Sequence, residues 1–481
     1  MRRVHIEPRP NASRLVQSQG LVHNEDPFPD DQHELYWPED RYYAFTTEEI
    51  NLLERASREV FEMLCEAAEH LVDNPHLITE RMAIPAFCVR QIVDSWDREP
   101  AFGSVYSRFD VCFGGLDHPD PRLRVPKFYE FNADTPTSLL EGSSVQWYWL
   151  EQTGHGPDQF NSIEEALVQA WKRNLAEVEK KLGHRPKVIH FASLGDYSGE
   201  DEVNTEVLAA TCAEAGYAVR RIWVDQIGLG SDGRFYDGTD GEHIDVIFKL
   251  YPWETMVMEK FGEACFADMD NVGKRDEETG EYVGGTIWFE APYKLLWSNK
   301  AIFALLWELF KDDPRSQWLL PTYLEPEMPA DMKQYARKPI FAREGSGVTL
   351  RKDDGTIISE SDADGYGDEG YVVQELALLP RFPDDRTGKI FYPVLGMWMV
   401  DGEPVGMGIR EDIDPVTSNC STFVPHVIED GKLSYERKPV PTLEEIEAAL
   451  SIETYQNPAL LGDDKARGVL PYIDSVVTAV A

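Results

Sequence analysis

Apolar residues recur at helical spacing over residues 47–72, where Ile50, Leu53, Val60, Leu64 and Leu71 mark one face of a long amphipathic helix. Thr46-Thr47-Glu48-Glu49 reads as the capping box that opens it. Residues 103–113 and 123–132 read as two strands with a polar connection, Asp117–Arg122, between them. Ser162-x-x-Glu165 caps a second long helix that ends near Gly183. A β-α-β alternation follows, with strands at Lys187–Leu194, Ala218–Val224 and Asp245–Leu250 and a helix at Val203–Ala215, which predicts a small parallel α/β layer. Asn299–Lys311 is a further helix. From Lys338 onward the pattern changes to antiparallel hairpins, with turns at Asp354-Gly355 and Asp401-Gly402. Residues 1–40, Pro-rich and polar, read as an extended arm, and residues 431–481 as a tail with a helix near 442–451. No internal repeat is evident.

Length and composition narrow the class. A chain of 481 residues exceeds one simple core and implies two to four domains or one multilobed enzyme. The pattern divides into 1–150, with the N-terminal helix and a hairpin, 151–290, an α/β domain, 291–430, a helix followed by antiparallel hairpins, and the tail 431–481. No apolar run approaches the ~18 residues of a membrane span, and the N-terminus lacks an apolar signal core. Six cysteines, scattered without a Cys-x-x-Cys pair, fit a reduced cytoplasm and suggest neither a zinc site nor a disulfide framework. The net charge of −40 argues against nucleic-acid partners and anionic membranes. The acidity suits either plain solubility or a high-salt cytoplasm; in both cases an anionic ligand needs a local basic pocket or a metal ion.

Several motifs fail on context. Gly228-Leu-Gly230-Ser-Asp-Gly233 matches a dinucleotide fingerprint, but no helix begins after it, so it reads as a loop. Asp362-Ala-Asp364-Gly starts like a calcium loop, but Val373 stands where the twelfth-position acid is required. Neither a P-loop nor a G-x-S-x-G elbow is present.

One constellation survives. In a strand, residues two apart share a face, so Arg108 projects with Asp110 and Glu130 with Asn132. If those strands pair, Asp110, Glu130 and Asn132 offer three oxygens that suit Mg²⁺, with Arg108 alongside; a salt-bridge ladder between strands fits the spacing equally. Lys338-Pro-Ile-Phe-Ala-Arg343-Glu-Gly345-Ser346-Gly347 reads as a strand with the lysine at its start, leading to a glycine-rich turn that can cradle phosphates, or alone as an ordinary hairpin. Tyr371-Val-Val-Gln374-Glu375-Leu376 is an apolar strand that switches to polar residues and can offer hydrogen bonds to an adenine edge. Gly408-Ile-Arg410-Glu411 ends another strand with an arginine between acids.

Taken with Lys249-Leu-Tyr-Pro-Trp-Glu254 and Ser298-Asn-Lys300-Ala, these motifs resemble, in order, those of the glutathionylspermidine synthase family over residues 1–428. The resemblance is nearest to stand-alone acid–amine ligases of that family. It implies an α/β (α+β) ATP-grasp fold with a pre-ATP-grasp domain, and use of ATP and Mg²⁺. It further implies that Asp110, Glu130 and Asn132 bind the metal, and that Arg108 and Arg410 stabilise the acyl phosphate and tetrahedral intermediate. Lys300 and Lys338 match the nucleotide lysines, Gln374, Glu375 and Leu376 the adenine contacts, and Thr135 a serine that contacts the acid substrate. The family's polyamine-binding acids are loosely matched by Glu200, Asp201 and Glu202. The N-terminal amidase domain of the bifunctional members is not matched, so hydrolysis is not expected, and the connection between Asp110 and Glu130 is longer here. The expected activity is ligation of a peptide-like carboxylate to an amine or polyamine, both small molecules. The competing reading is a non-catalytic or regulatory ATP-binding protein that acts with a partner protein.

Overall fold

The computed structural model describes residues 1–25, 35–97, 103–195, 198–363, 365–418 and 421–451. In chain order the strands are β1 (Arg2–His5), β2 (Arg41–Phe45), β3 (Tyr106–Cys112), β4 (Lys127–Asn132), β5 (Ile189–Ser193), β6 (Val219–Trp223), β7 (Ile227–Leu229), β8 (Phe235–Asp237), β9 (Val246–Leu250) and β10 (Ile287–Phe289). They continue with β11 (Thr322–Leu324), β12 (Tyr335–Pro339), β13 (Thr349–Arg351), β14 (Ile357–Glu360), β15 (Tyr371–Glu375), β16 (Phe382–Pro383), β17 (Ile390–Val400), β18 (Glu403–Asp412), β19 (Thr422–Phe423) and β20 (His426–Ile428).

Three sheets matter to the site. The largest runs β19-β18-β17-β3-β4, with β16 beside β17. Its long hairpin β17–β18 turns at Asp401-Gly402, both at positive φ as a tight primed turn requires. A five-stranded antiparallel sheet runs β11-β15-β12-β13-β14 and carries the hairpin at Asp354-Gly355. The predicted parallel layer is present in the order β10-β9-β5-β6, one strand wider than the pattern indicated. Strands β5 and β9 are buried at every residue, as expected of a parallel sheet covered on both faces.

The helix Thr47–Asp73 buries Ile50, Leu53, Val60, Leu64 and Leu71 in the core, and Thr46 and Glu49 form the predicted capping box. The second long helix spans Ile163–Leu182 and stops at Gly183 in the left-handed conformation. Ser162 does not cap it through its side chain; the hydroxyl donates instead to the Val405 carbonyl at 3.1 Å. The N-terminal segment is not an extended arm. Strand β1 pairs with β2, which pairs in turn with β20, and a helix follows at Ala12–Ser18. Gly228–Gly233 lies in the small β7–β8 hairpin with no helix after it, as read from the sequence. The Thr442-capped helix Leu443–Leu450 matches the expected one near 442–451; residues 452–481 of the predicted tail, and Asp364 of the rejected calcium loop, lie outside the described residues. Among the described residues no helix is long and apolar enough to cross a membrane.

Candidate active site

Strands β3 and β4 pair antiparallel with Asp110 opposite Glu130 and Arg108 opposite Asn132, and the ladder slips one residue after Asp110. The longer connection between them does not disturb this register: it folds as a short turn at Pro121–Arg124, tied by Gly114 N–H to the Leu123 carbonyl at 2.7 Å. Each oxygen of Asp110 carries one arginine. Arg108 Nε donates to Oδ1 at 2.9 Å and Arg410 Nη2 to Oδ2 at 2.8 Å. Arg410 reaches Asp110 from β18 across β17, where Gly396 stands opposite both Asp110 and Gly408. A Cβ on Gly396 would lie 2.8 Å from Arg108 Cδ, so a side chain there would push Arg108 aside.

Glu130 pairs with Lys300 at 3.2 Å, and Asn132 Nδ2 donates to its other oxygen at 3.4 Å. Burial raises the Glu130 carboxyl, but Lys300 and Lys338 outweigh it and bring the carboxyl down to about 2. Lys338 donates to Gln374 Oε1 at 2.9 Å. Burial pulls its ammonium down to about 8, with Glu130 opposing and Lys300 adding. Lys338 is the fourth residue of β12, not the first, because the strand begins at Tyr335 and ends at Pro339.

Two clefts meet here. One, of about 790 Å³ with its open mouth, has an apolar end at Ala336, Val348, Leu350 and Leu379 and a charged end at Lys300, Lys338, Asp110 and Glu130. Gln374, Glu375 and Leu376 line it too. The Glu375 amide is already bonded to the Pro321 carbonyl at 2.8 Å. The second cleft, of about 760 Å³, is lined by Arg108, Asn132, Thr135, Asp201, Arg410 and others. Asp110, Glu130, Arg343, Gly345 and Thr417 line both. In the glycine-rich turn, Gly345 and Ser346 line the first cleft, but the Ser346 and Gly347 amides are already bonded to the Arg343 and Asp362 carbonyls at 2.9 and 2.7 Å. Arg343 donates to Thr135 Oγ1 at 2.5 Å and to the Thr135 carbonyl at 2.7 Å, joining two residues read separately from the sequence.

Glu200, Asp201 and Glu202 open the helix Glu200–Glu214 and point different ways. Asp201 lines the second cleft, while Glu202 is buried. Burial raises the Glu200 carboxyl, with His23 opposing and Glu141 adding. The pattern gave no sign of that neighbourhood. Glu141 is fully buried with Oε1 3.1 Å from His23 Nε2, and burial together with Glu141 and Glu200 raises the Tyr36 hydroxyl well above its usual range. His23 and Glu141 lie 118 positions apart in sequence, so no local spacing joins them.

An antiparallel sheet that lines the first cleft and a separate parallel α/β layer make up a mixed α/β fold of the ATP-grasp kind. The solved structure of a glutathione synthetase-like effector from Globodera pallida has the same fold at a TM-score of 0.51 and 11% identity, covering 86% of this chain and 96% of that one. The family model for the glutathionylspermidine synthase pre-ATP-grasp region matches residues 3–429, and the chain belongs to the glutathionylspermidine synthase family, whose members are ATP-dependent, amide-forming ligases. A Haemophilus influenzae protein provisionally named an acid–amine ligase is 32% identical over 435 residues, 89% of this chain and 99% of that one. Trypanothione synthetase of Crithidia fasciculata is 27% identical over 343 residues, 68% of this chain but only 48% of its own length.

Proposed function

We propose that the chain ligates a peptide-like carboxylic acid to an amine or polyamine through an acyl phosphate formed with ATP. The observation that carries this reading is the junction of the two clefts at Asp110, Glu130, Arg343 and Gly345. The apolar end of the first cleft suits an adenine beside Gln374, Glu375 and Leu376, and Lys300, Lys338 and Gly345-Ser346 suit its phosphates. Two carboxylates and an amide oxygen on facing strands fit Mg²⁺, so Asp110, Glu130 and Asn132 would hold it. When bound, the ion neutralises charge on the phosphate oxygens.

A carboxylate lying against Thr135 attacks the terminal phosphoryl group, and ADP leaves. The amine then attacks the acyl carbon, and phosphate departs. Arg108 and Arg410 already converge on the junction from β3 and β18, and their planar forks suit the acyl phosphate and the anionic tetrahedral intermediate. Asp201, which lines the second cleft at the start of the helix Glu200–Glu214, makes that side attractive to a cationic amine. The test is a screen of acid and amine pairs for phosphate release, with products identified by mass. Turnover that requires both components is the expected result. Nucleotide binding without turnover, or turnover that depends only on a partner protein, overturns the ligase reading in favour of a regulatory ATP-binding protein.

A further inference from the structure

The motif Lys249-Leu-Tyr-Pro-Trp-Glu254 has no part in the chemistry above, yet its lysine lies fully inside the protein. Lys249 Nζ donates to both oxygens of Asp134, at 3.0 and 3.1 Å, and to the Tyr251 carbonyl at 2.9 Å. Both side chains are 1% exposed. Asp134 also accepts the Trp253 amide at 2.7 Å, and its own amide donates to Ser298 Oγ at 3.0 Å. Three of the sequence motifs therefore meet on one aspartate.

The next three residues each give a carbonyl away. The Thr135 carbonyl accepts from Arg343 at 2.7 Å, the Pro136 carbonyl from the Tyr106 hydroxyl at 3.1 Å, and the Thr137 carbonyl from Arg108 at 2.7 Å. Arg108 is otherwise held by Asp110, and Arg343 by the Thr135 hydroxyl and by Glu254 at 3.6 Å. A buried ion pair adds little stability over an apolar pair of like volume, but this one is tied to backbone on both sides, through the Trp253 amide and the Asp134 amide on Ser298. We infer that the Asp134–Lys249 pair is a positioning device: it clamps residues 135–137 so that the Thr135 and Thr137 carbonyls aim Arg343 and Arg108 at the junction where the terminal phosphate is to lie. The inference rests on the ligase reading. Orientation is where such a clamp acts, because displacing a phosphate-contacting group by about 1 Å costs on the order of a hundredfold in rate.

The probe is the gain in affinity from the third phosphate, read as the ratio of dissociation constants for Mg·ADP and for Mg²⁺ with a non-hydrolysable ATP analogue. Asp134→Asn should lower that ratio by about tenfold while Mg·ADP affinity moves less than about twofold. In a chain lacking both guanidiniums, Arg108→Ala with Arg343→Ala, adding Asp134→Asn should change the ratio no further, a non-additivity that a merely structural role does not produce. An unchanged ratio, an equal loss for both nucleotides, or an undiminished effect in the arginine-free background overturns the inference. Should Asp134→Asn fail to fold, Lys249→Gln, which removes the charge from the other side of the same pair, must lower the ratio by about threefold; no change overturns the inference as well. A parent protein that binds neither nucleotide overturns the ligase reading and the inference together, whereas a normal parent ratio with an unaffected variant overturns only the inference.

Discussion

Nucleotide affinity should fall as pH rises through about 8, and Lys338 is the cause. Its ammonium is drawn down to about 8 from the ordinary 10.5, by burial first, with Lys300 adding and Glu130 and Asp110 opposing. A phosphate chain beside it favours the charged form, so binding takes up a proton wherever the free protein has lost one. From about pH 7 to about pH 9 the charged fraction of free Lys338 drops roughly tenfold, so the dissociation constant should rise by about tenfold, or ~1.4 kcal/mol. Lys338→Met should weaken binding near neutral pH by about 1.5–3 kcal/mol, the worth of a charge-assisted hydrogen bond, and should abolish the slope. Stability moves the other way. A lysine whose ammonium is disfavoured by the fold costs stability in full below about pH 8, and that cost fades as pH rises toward 10.5. Methionine relieves this cost but leaves Gln374 Oε1 without its 2.9 Å donor, so the melting temperature without nucleotide should change little. Titration calorimetry in buffers of differing ionisation enthalpy reads both the slope and the proton uptake. A flat parent profile, or a slope that survives in Lys338→Met, refutes the reasoning.

Glu130→Gln removes one metal oxygen's charge and should weaken Mg·nucleotide binding by at least about tenfold with the fold intact; unchanged calorimetric affinity would sink the metal assignment. Arg410→Lys keeps the charge but loses the fork, and should lower kcat by at least about tenfold, or ~1.4 kcal/mol, with KM little altered; parent-like turnover of a working acid and amine pair removes Arg410 from the chemistry. The glycine-rich turn at 345–347 and the described part of loop 359–370 should close over bound nucleotide, so their amide exchange should slow when Mg·ATP is added, and equal exchange with and without it counts against a lid.

What the sequence disclosed was what is written locally. Alternation on β3 and β4 put Arg108 with Asp110 and Glu130 with Asn132, and the pairing bears this out because a period of two leaves no other face for them. The two Asp-Gly turns identified their hairpins because each holds its glycine at positive φ, and at Asp401-Gly402 the aspartate too. Lys338 was found by its motif but assigned to the wrong end of its strand, since Tyr335-Ala-Arg337 has no apolar period to announce β12. The N-terminal residues looked like an arm because β1 earns its place from β2, and β2 from β20, strands far along the chain. The same distance hid the Asp134–Lys249 pair and the Glu141 neighbourhood: each is a contact across more than a hundred residues, between side chains whose own surroundings look ordinary in the sequence.

The charge balance of the junction ties these features together. A chain with a net charge of −40 gathers Arg108, Lys300, Lys338, Arg343 and Arg410 around Asp110 and Glu130. Without ligand, the two carboxylates hold the cations in place: Asp110 keeps both arginines and Glu130 keeps Lys300. Under the proposed roles, the metal and the phosphates arrive as a pair of opposite charges, and the partners exchange. Asp110 and Glu130 would then hold the ion, and the arginines and lysines would pair with the phosphate oxygens. Each buried charge then keeps a counter-charge throughout, which avoids the several kcal/mol that an uncompensated buried ion costs. Removing Asp110 therefore does more than remove a metal ligand. It leaves two arginines uncompensated in the nucleotide-free protein, so Asp110→Asn should lower the melting temperature without nucleotide by more than Glu130→Gln, which faces Lys300 and Lys338 from a more exposed position.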